Sequence, residues 1–334
     1  MKDICIVTYV FGRAYQSFIP YYIYFFNVEY PNYDICIYTD IEFDQKYRKQ
    51  LDELECHNYS IRRFNYKNVG FSEAALRNYE ISRAVRWFLV NDEFLQYNSV
   101  YIGDIDILIA HEDMGLYEQH ITHCDYLGLP YSNCIRLYRE NNSIRHIGGN
   151  LLRYGIWETI KTARFPIREW KRLTGLHFMK TRECFPALKE QIPLLVQELN
   201  NVVEGESYFW TKASINDESV LFELIYRSGL GIPDYDSNDL NKRFLFENDN
   251  PKSKVFRPEH GLHLGDWRMS PHEEVVLSNR YFEYYMDFYK KYTNNATLQR
   301  LIWEDDEAAS ELIRKMMNYY DGRIQLYEGY NANK

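Results

Sequence analysis

The sequence lacks the excess of basic residues that general binding to nucleic acid requires. It has 39 lysines and arginines against 48 aspartates and glutamates, so its formal net charge is −9 over 334 residues. Because a protein must neutralise phosphates to bind DNA or RNA, this balance argues against a nucleic-acid partner. It leaves room for a local basic groove that binds a single nucleotide.

Long apolar runs and paired cysteines are missing as well. The longest apolar run, residues 18–26, contains Pro20 and falls far short of the roughly 20 residues that span a bilayer. The six cysteines are scattered without a C-x-x-C pair or the spacing of a disulfide framework, which is typical of a reducing compartment. The first residues lead directly into a strand-like segment, with no signal-peptide core. These features predict a cytoplasmic protein.

The glycine-rich nucleotide motifs are also absent. There is no G-x-G-x-x-G after the first apolar segment and no G-x-x-x-x-G-K-[ST]. This argues against a dinucleotide oxidoreductase and against a P-loop enzyme. A sugar nucleotidyltransferase would carry a glycine-rich loop with Arg and Lys at the same place, where this chain has only Gly12.

The hydrophobic pattern of the first third alternates between strand-like and helix-like segments. Short apolar runs predict buried strands at 4–10, 35–39 and 99–102. Amphipathic stretches predict helices at 15–26, 43–54 and 73–90. This alternation predicts an α/β fold in which helices flank a mixed, mostly parallel sheet of the Rossmann type.

Two later segments depart from the alternation. Residues 165–212 contain two helix-like stretches around a turn marked by Pro186 and Pro193, which predicts a helical insertion over one end of the sheet. From residue 278 onward the pattern is helical, with an aromatic stripe that we expect to pack against the body of the protein. We therefore predict a catalytic domain over 1–270 and a helical extension over 271–334.

Asp104 and Asp106 form the first candidate site. They are separated by one residue and flanked by apolar residues, at the place where a strand of the predicted sheet ends. Open α/β sheets bind their ligands at such ends. Hard oxygen ligands suit Mg²⁺ or Mn²⁺, which can neutralise a diphosphate leaving group. The alternative is a solvated turn after an edge strand.

Two further motifs carry groups that suit a sugar substrate. Adjacent glycines before Asn150 let the backbone approach a ligand closely, and the Asn amide can bind sugar hydroxyls. Asn216, Asp217 and Glu218 stand at the start of an amphipathic segment. The alternative for the glycines is a tight turn, and the alternative for 216–218 is helix capping.

A fourth motif lies at 260–268 and contains His260, His263 and Arg268. A neutral imidazole can complete a metal site begun by two distant carboxylates, and an arginine can reach a phosphate. The alternative is a pair of structural histidines in a loop.

Taken in this order, the four motifs resemble those of glycosyltransferases of the GT-A fold, over roughly the first 270 residues. Asp104-Ile105-Asp106 is similar to the D-x-D motif of that fold. The resemblance implies that Asp104 and Asp106 bind a Mn²⁺ or Mg²⁺ ion together with the nucleotide sugar.

Two families of retaining enzymes supply the closer resemblances. The opening segment up to Asp40 and the N-D-E-S at 216–219 are similar to blood-group-type galactosyl- and N-acetylgalactosaminyltransferases, whose motif reads H-D-E-S. This implies that Glu218, with Asp217 beside it, lies beneath the anomeric carbon of the donor. The H-L-G-D-W at 263–267 is similar to the C-terminal motif of glycogenin-like transferases, whose His binds the metal. This implies that His263 is the third ligand, with His260 as the competing candidate.

The resemblance implies a metal-dependent hexosyltransferase that moves a sugar from a nucleotide-diphosphate donor to a saccharide or glycolipid acceptor. The expected donor is a UDP-sugar. We expect a role in bacterial surface glycan synthesis (capsule or lipopolysaccharide), a retaining mechanism, and peripheral contact with the inner membrane face. The expected donor-binding residues are Thr8, Asp40, Arg83, Asp104, Gly149, Asn150 and Arg268. His177, inside the predicted insertion, is the expected acceptor-binding residue. The alternatives are an inverting GT-A transferase, a sugar nucleotidyltransferase and a noncatalytic sugar-binding protein.

Overall fold

The computed structural model of this protein describes residues 2–139, 152, 156, 169–175, 177–205, 215–234, 250–264 and 279–324. These residues form a mixed α/β fold, as the alternation predicts. The strands are β1 (Lys2–Val10), β2 (Asp34–Thr39), β3 (Tyr59–Arg63), β4 (Tyr97–Ile102), β5 (Ile107–Ile109), β6 (Tyr131–Ser132), β7 (Ile135–Arg139), β8 (Glu169–Leu173), β9 (His177–Lys180) and β10 (Gly261–His263).

The helices surround these strands along the chain. They are α1 (Arg13–Gln16), α2 (Ile19–Glu29), α3 (Gln45–Glu53), α4 (Tyr66–Val69), α5 (Glu73–Leu76), α6 (Tyr79–Ala84), α7 (Leu116–Leu127), α8 (Thr181–Glu204), α9 (Asp217–Arg227), α10 (Asn279–Thr293), α11 (Ala296–Glu304) and α12 (Ala308–Asp321). Two short 3₁₀ segments, Val85–Phe88 and Asp92–Gln96, precede β4.

The central sheet has six strands in the order β3-β2-β1-β4-β9-β6. β2 and β3 are parallel, whereas β9 is antiparallel to both β4 and β6. The sheet is therefore mixed, as predicted. Two antiparallel ribbons, β5 with β10 and β7 with β8, accompany it.

The chain divides into two compact units. Unit 1 consists of residues 1–5, 65–103 and 117–257, and unit 2 of residues 6–64, 104–116 and 258–334. The division at residue 270 that the sequence predicts stays a prediction.

Unit 2 is built around helix α2 and the C-terminal helices. The residues of α2 from Ile19 to Asn27 are all buried, and the helix contacts β5. The predicted aromatic stripe is buried as well: Tyr285 of α10 stacks on Tyr320 of α12 with ring centroids 4.4 Å apart, and Phe288 lies 5.7 Å from Phe25. Burial of these rings accounts for the helical pattern of the C-terminal segment.

In unit 1 the predicted turn at Pro186 and Pro193 is not present. Within 165–212, β8 and β9 are strands, and α8 continues through Pro186 and Pro193 without the expected turn. Each proline removes one main-chain hydrogen bond. The apolar side of α8 nevertheless continues at helical spacing through both prolines, and its packing outweighs that loss. The buried residues of this helix include Phe185, Leu188, Ile192, Leu195, Val196 and Leu199. Within the described residues, no helix is both long and apolar enough to cross a membrane.

The predicted helix at 73–90 is interrupted. The side chain of Asn78 accepts hydrogen bonds from the backbone N–H groups of Glu80 and Ile81, at 3.0 and 3.3 Å, and so begins a new helix, α6. Asparagine competes well for this capping position because its side chain replaces a missing main-chain partner. The 3₁₀ segment after α6 carries Arg86 and Trp87, whose side chains contact Asp217 at the start of α9.

Candidate functional site

The β5–β10 ribbon of unit 2 brings Asp106 and His263 together. Asp106 directly precedes β5, and His263, the last residue of β10, pairs with Ile107. The backbone N–H of Leu264 donates to the carbonyl of Asp106 at 2.8 Å, which extends the pairing by one step. In the side chains, Asp106 Oδ1 lies 3.3 Å from His263 Nε2.

This pair is accessible to a small ligand. The Asp106 side chain is 19% exposed and that of His263 is 16% exposed. Asp104, two residues earlier, is half-buried. Two of the three predicted metal ligands therefore lie side by side, and the third belongs to the same short loop.

The Asp106–His263 pair fits two adjacent ligands of a divalent cation. With metal–ligand bonds of about 2.1–2.2 Å, neighbouring ligands of an octahedral ion lie roughly 3 Å apart. A carboxylate and an imidazole suit Mn²⁺ and other first-row metals. Across the part of the chain that the structure describes, no three His, Cys, Asp or Glu side chains are already arranged around one point.

A second cluster, which we call the Glu112 clamp, lies at the other end of the same ribbon and consists of Glu112, His260, Arg280 and Tyr284. Nδ1 of the fully buried His260 donates to Glu112 Oε2 at 2.6 Å. The Tyr284 hydroxyl donates to Glu112 Oε1 at 2.7 Å, and Arg280 forms an ion pair with the same oxygen. Burial alone would raise the pKa of Glu112, but His260, Tyr284 and Arg280 outweigh it and lower that pKa to about 2.

The Glu112 clamp bears on the choice between the two histidines. His260 is engaged with Glu112, and its carbonyl accepts from the N–H of Ala110, whereas His263 lies beside Asp106. Between them, Gly261 runs so close to β5 that an added Cβ would lie 2.0 Å from the carbonyl oxygen of Leu108. Only glycine allows this approach, which sets the register of the ribbon and hence the position of His263.

The remaining predicted donor residues of unit 2 lie near the ends of β1 and β2. Asp40 Oδ1 accepts a hydrogen bond from the backbone N–H of Gly12 at 2.9 Å and so holds the turn that follows β1. Gly12 has a φ of 79°, a conformation that glycine adopts readily. Thr8 is buried within β1.

In unit 1, the start of α9 carries a buried ion pair. Asp217 Oδ2 lies 2.7 Å from Arg86 Nη2 and 3.5 Å from Arg83 Nη2. The Asp217 carbonyl accepts from the indole N–H of Trp87 at 2.9 Å, and the Arg86 guanidinium lies 4.3 Å from the centroid of the Trp87 ring. Asp217 Oδ1 is buried and has no hydrogen-bond partner among the described residues.

The capping alternative for this segment is confirmed for Asn216. Its side chain accepts from the backbone N–H of Glu218 at 3.0 Å, and the Ser219 hydroxyl receives the N–H of Asn216 in return. Asp217 has a different role, because its side chain is only 1% exposed and is directed to the arginines. Glu218 is half-buried, so it is the carboxylate of the pair with exposed surface.

The structure gives His177 an interior position. The residue is fully buried on β9, and its Nδ1 lies 2.9 Å from the side-chain amide of Asn133. Its ring lies between those of Trp87 and Tyr131, at centroid distances of 6.2 and 5.4 Å. Burial lowers the pKa of His177 to about 3, so the ring is neutral.

Three predicted donor residues, Gly149, Asn150 and Arg268, lie outside the described residues. Arg86 and Glu112 take part in the clusters above but were not predicted as site residues. Arg86 follows Arg83 at i,i+3 on a predicted helix, a spacing that places two cations on one face. The sequence carries no comparable signal for Glu112.

No known protein-family model matches this chain, and no curated protein matches its sequence. Among solved structures, it is similar to core-mannan synthase A (CmsA/Ktr4) from Aspergillus fumigatus in a Mn/GDP form, with 8% identity, 67% of this chain and 70% of that chain covered, and a TM-score of 0.40. It is also similar to the galactosyltransferase LgtC in complex with donor and acceptor sugar analogues, with 11% identity, 77% and 85% coverage, and a TM-score of 0.41. For mouse xyloside xylosyltransferase 1 the identity is 8%, the coverage 77% and 96%, and the TM-score 0.39. At such scores the activities of these proteins do not transfer to this chain.

Proposed function

We propose that this protein is a GT-A-type glycosyltransferase that uses a divalent cation to transfer a sugar from a nucleotide-diphosphate donor to a saccharide acceptor. The observation that carries the proposal is the Asp106–His263 pair. A carboxylate and an imidazole that are far apart in the sequence lie 3.3 Å apart, are both partly exposed, and stand on a ribbon whose register is fixed by Gly261.

Asp104, Asp106 and His263 would hold the cation, either Mn²⁺ or Mg²⁺. Such an ion stabilises the negative charge that develops on a departing diphosphate. The residues of the protein bind and orient the donor: Asp40 holds the turn after β1, and partly exposed Arg83 offers guanidinium N–H groups to its hydroxyls or phosphates. We also assign Gly149, Asn150 and Arg268 to the donor site. Thr8 is buried within β1 and presents no surface to a donor, so we assign it to the interior of the sheet.

Glu218 is the proposed carboxylate at the reacting carbon. Asp217 is almost completely buried and bound to Arg86, so it acts as the counterion that fixes the arginines. Glu218 is adjacent and exposes part of its surface. In a retaining reaction Glu218 would lie beneath the anomeric carbon, and in an inverting one it would act as the base. The anomeric configuration of the new linkage, read by NMR at its first appearance, distinguishes the two.

We further propose a UDP-sugar donor and a glycan acceptor at the inner face of a bacterial membrane. The buried ring of His177 presents no surface to such an acceptor, so we assign it to the packing around Trp87 rather than to acceptor binding.

Release of the free nucleotide tests the proposal. We expect wild-type protein with Mn²⁺ to release UDP from one or more UDP-sugars, and Asp106→Ala and His263→Ala to lose this activity. Asp113→Ala, which removes an exposed carboxylate a few residues away, is the matched control and should retain it. The same assay with GDP-sugars tests the choice of nucleotide, because the proposal names a UDP-sugar as the donor.

Each competing function predicts a different product. Release of pyrophosphate from a nucleoside triphosphate and a sugar 1-phosphate would indicate a sugar nucleotidyltransferase, and sugar binding without any release would indicate a noncatalytic protein. Near-normal activity of folded Asp106→Ala would contradict the cation site directly.

A further inference from the structure

Glu259 is a buried carboxylate that faces His263 from the side opposite Asp106. Its side chain is 1% exposed, and its Oε1 lies 4.0 Å from His263 Nδ1. The other imidazole nitrogen, Nε2, faces Asp106 Oδ1 at 3.3 Å. The ring of His263 therefore lies between two carboxylates, one buried and one partly exposed.

The position of Glu259 is itself fixed by helix α10. The hydroxyl of Tyr281, in the first turn of α10, donates to Glu259 Oε2 at 2.8 Å, and this hydrogen bond is buried. Tyr281 engages Oε2, and the other carboxylate oxygen, Oε1, is the one that lies 4.0 Å from His263 Nδ1. Helix α10, the ribbon and the Asp106–His263 pair all belong to unit 2.

We propose that Glu259, held by Tyr281, is a positioning residue that orients His263 for the divalent cation; this inference rests on the proposed function. An imidazole that binds a metal through one nitrogen carries its proton on the other, and a carboxylate that accepts this proton fixes both the tautomer and the ring angle. Here the Nδ1–H of His263 would be directed at Glu259, which leaves the Nε2 lone pair facing Asp106 and the ion.

The observed distances are compatible with this arrangement. At 4.0 Å the Nδ1–Oε1 contact is an ion-pair distance and exceeds a hydrogen bond by about 1 Å. Site hydrogen bonds are often long before the ligand binds and shorten when it does. The two side chains would have to approach by about 1 Å when the ion binds for Nδ1 to reach hydrogen-bonding distance of Glu259.

The same helix provides a matched control. Tyr284 donates to Glu112 in the Glu112 clamp as Tyr281 donates to Glu259, with hydrogen bonds of 2.7 and 2.8 Å. Tyr281→Phe and Tyr284→Phe each remove one phenol–carboxylate hydrogen bond made by α10, and Tyr284→Phe also removes the hydrogen bond that Arg280 Nε donates to the Tyr284 hydroxyl. Only the first of these bonds involves the carboxylate that faces His263.

The test is the affinity for Mn²⁺ alone, measured from the EPR signal of the free ion in titrations of the full chain. Loss of a partner of this kind weakens metal binding about 10- to 100-fold, which is the effect we expect for Glu259→Gln. Tyr281→Phe should weaken binding by a smaller factor, and Tyr284→Phe should not change it. The side-chain ¹⁵N shifts of His263 in protein saturated with Zn²⁺, a diamagnetic substitute for Mn²⁺, should show a protonated Nδ1 in the wild type.

The outcomes separate this inference from the proposed function. Wild-type affinity in both Glu259→Gln and Tyr281→Phe, with an unchanged His263 tautomer, would overturn the inference while the cation site stands. If His263→Ala binds Mn²⁺ as tightly as the wild type, the cation site is wrong and the role of Glu259 is overturned with it. If Glu259→Gln does not fold, the Mn²⁺ affinities of Tyr281→Phe and Tyr284→Phe are compared instead. Equal affinities would overturn the inference, and weaker binding by Tyr281→Phe alone would support it.

Discussion

Asp106 in unit 2 and Asp217 in unit 1 are both aspartates of predicted catalytic motifs, yet their surroundings differ. The Asp106 side chain is 19% exposed and faces an imidazole, whereas that of Asp217 is 1% exposed and faces the guanidinium of Arg86. An exposed carboxylate can offer its lone pairs to an incoming cation. A buried one that is already paired with a cation of the protein cannot do so without disrupting its surroundings. The partner and the exposure, rather than the residue type, decide which aspartate is available for a ligand.

The largest effect on stability is expected when the Asp217 charge is removed. Asp217→Asn leaves Arg86 buried without its counterion, which should lower the free energy of unfolding by about 3–5 kcal/mol. Asp106→Asn, in contrast, changes a partly exposed side chain and should alter it by only about 0.5 kcal/mol. Urea denaturation of the two variants measures the difference.

Glu218→Gln is the control for this comparison, because it removes a neighbouring charge from the same helix end. We expect it to cost less than about 1 kcal/mol, the value of a charge near a helix terminus. If Asp217→Asn and Glu218→Gln lower the free energy of unfolding equally, the Arg86–Asp217 ion pair contributes no more to stability than an ordinary charge at the helix end.

The two units should also lose stability in different ranges of pH. In unit 1, burial lowers the pKa of His123 to about 4 and that of His177 to about 3. Since the unfolded chain binds these protons near pH 6.5, the contribution of each histidine is complete above pH 6.5 and declines as the pH falls. By pH 4.5 each should have lost roughly 2–3 kcal/mol.

In unit 2, the corresponding group is Glu112. Its pKa is lowered from 4.5 to about 2, so its contribution is complete above pH 4.5 and is lost between pH 4.5 and 2, by roughly 3 kcal/mol in total. Glu112→Gln should reduce the pH dependence of the free energy of unfolding only between pH 4.5 and 2. His177→Asn should reduce it only between pH 6.5 and 4.5. If the free energy of unfolding falls with pH in the same way in the wild type and in both variants, the assignment of these pH ranges to Glu112 and His177 is wrong.

A smaller effect than those of Asp217 and the buried titratable groups concerns the helix cap beside Asp217. Asn216→Ala removes the side-chain acceptor for the N–H of Glu218 and should cost about 1 kcal/mol, which is typical of an N-cap. Asn216→Ser retains a capping oxygen and should recover most of this loss. If Asn216→Ala instead cost as much as Asp217→Asn, the division between a capping and an ion-pairing residue would be wrong.

The sequence predicted the α/β class and the helix at 43–54, which the structure contains as α3, because both follow from local hydrophobic periodicity. It did not predict that α8 continues through Pro186 and Pro193, since packing of a buried side overrides local proline preferences. The break at Asn78 was missed for the opposite reason, because a local cap outweighed the continuing pattern.

Within the candidate site, the sequence identified the groups but not their partners. The resemblance to known transferases predicts that Asp106 and His263 bind one metal ion, and in the structure Asp106 Oδ1 lies 3.3 Å from His263 Nε2. The metal site itself stays a prediction. The pairing of Arg86 with Asp217 joins residues 131 positions apart, and no local pattern encodes such a contact. Strand β10 is only three residues long, which is too short for a hydrophobic period to be recognised in the sequence.

Anomalous diffraction at the manganese absorption edge, from crystals of the full chain grown with Mn²⁺ and UDP, tests the central claim most directly. The account predicts one strong peak about 2.0–2.3 Å from both the Asp106 carboxylate and His263 Nε2. A manganese peak elsewhere, with Asp106 and His263 still in direct contact, would contradict it.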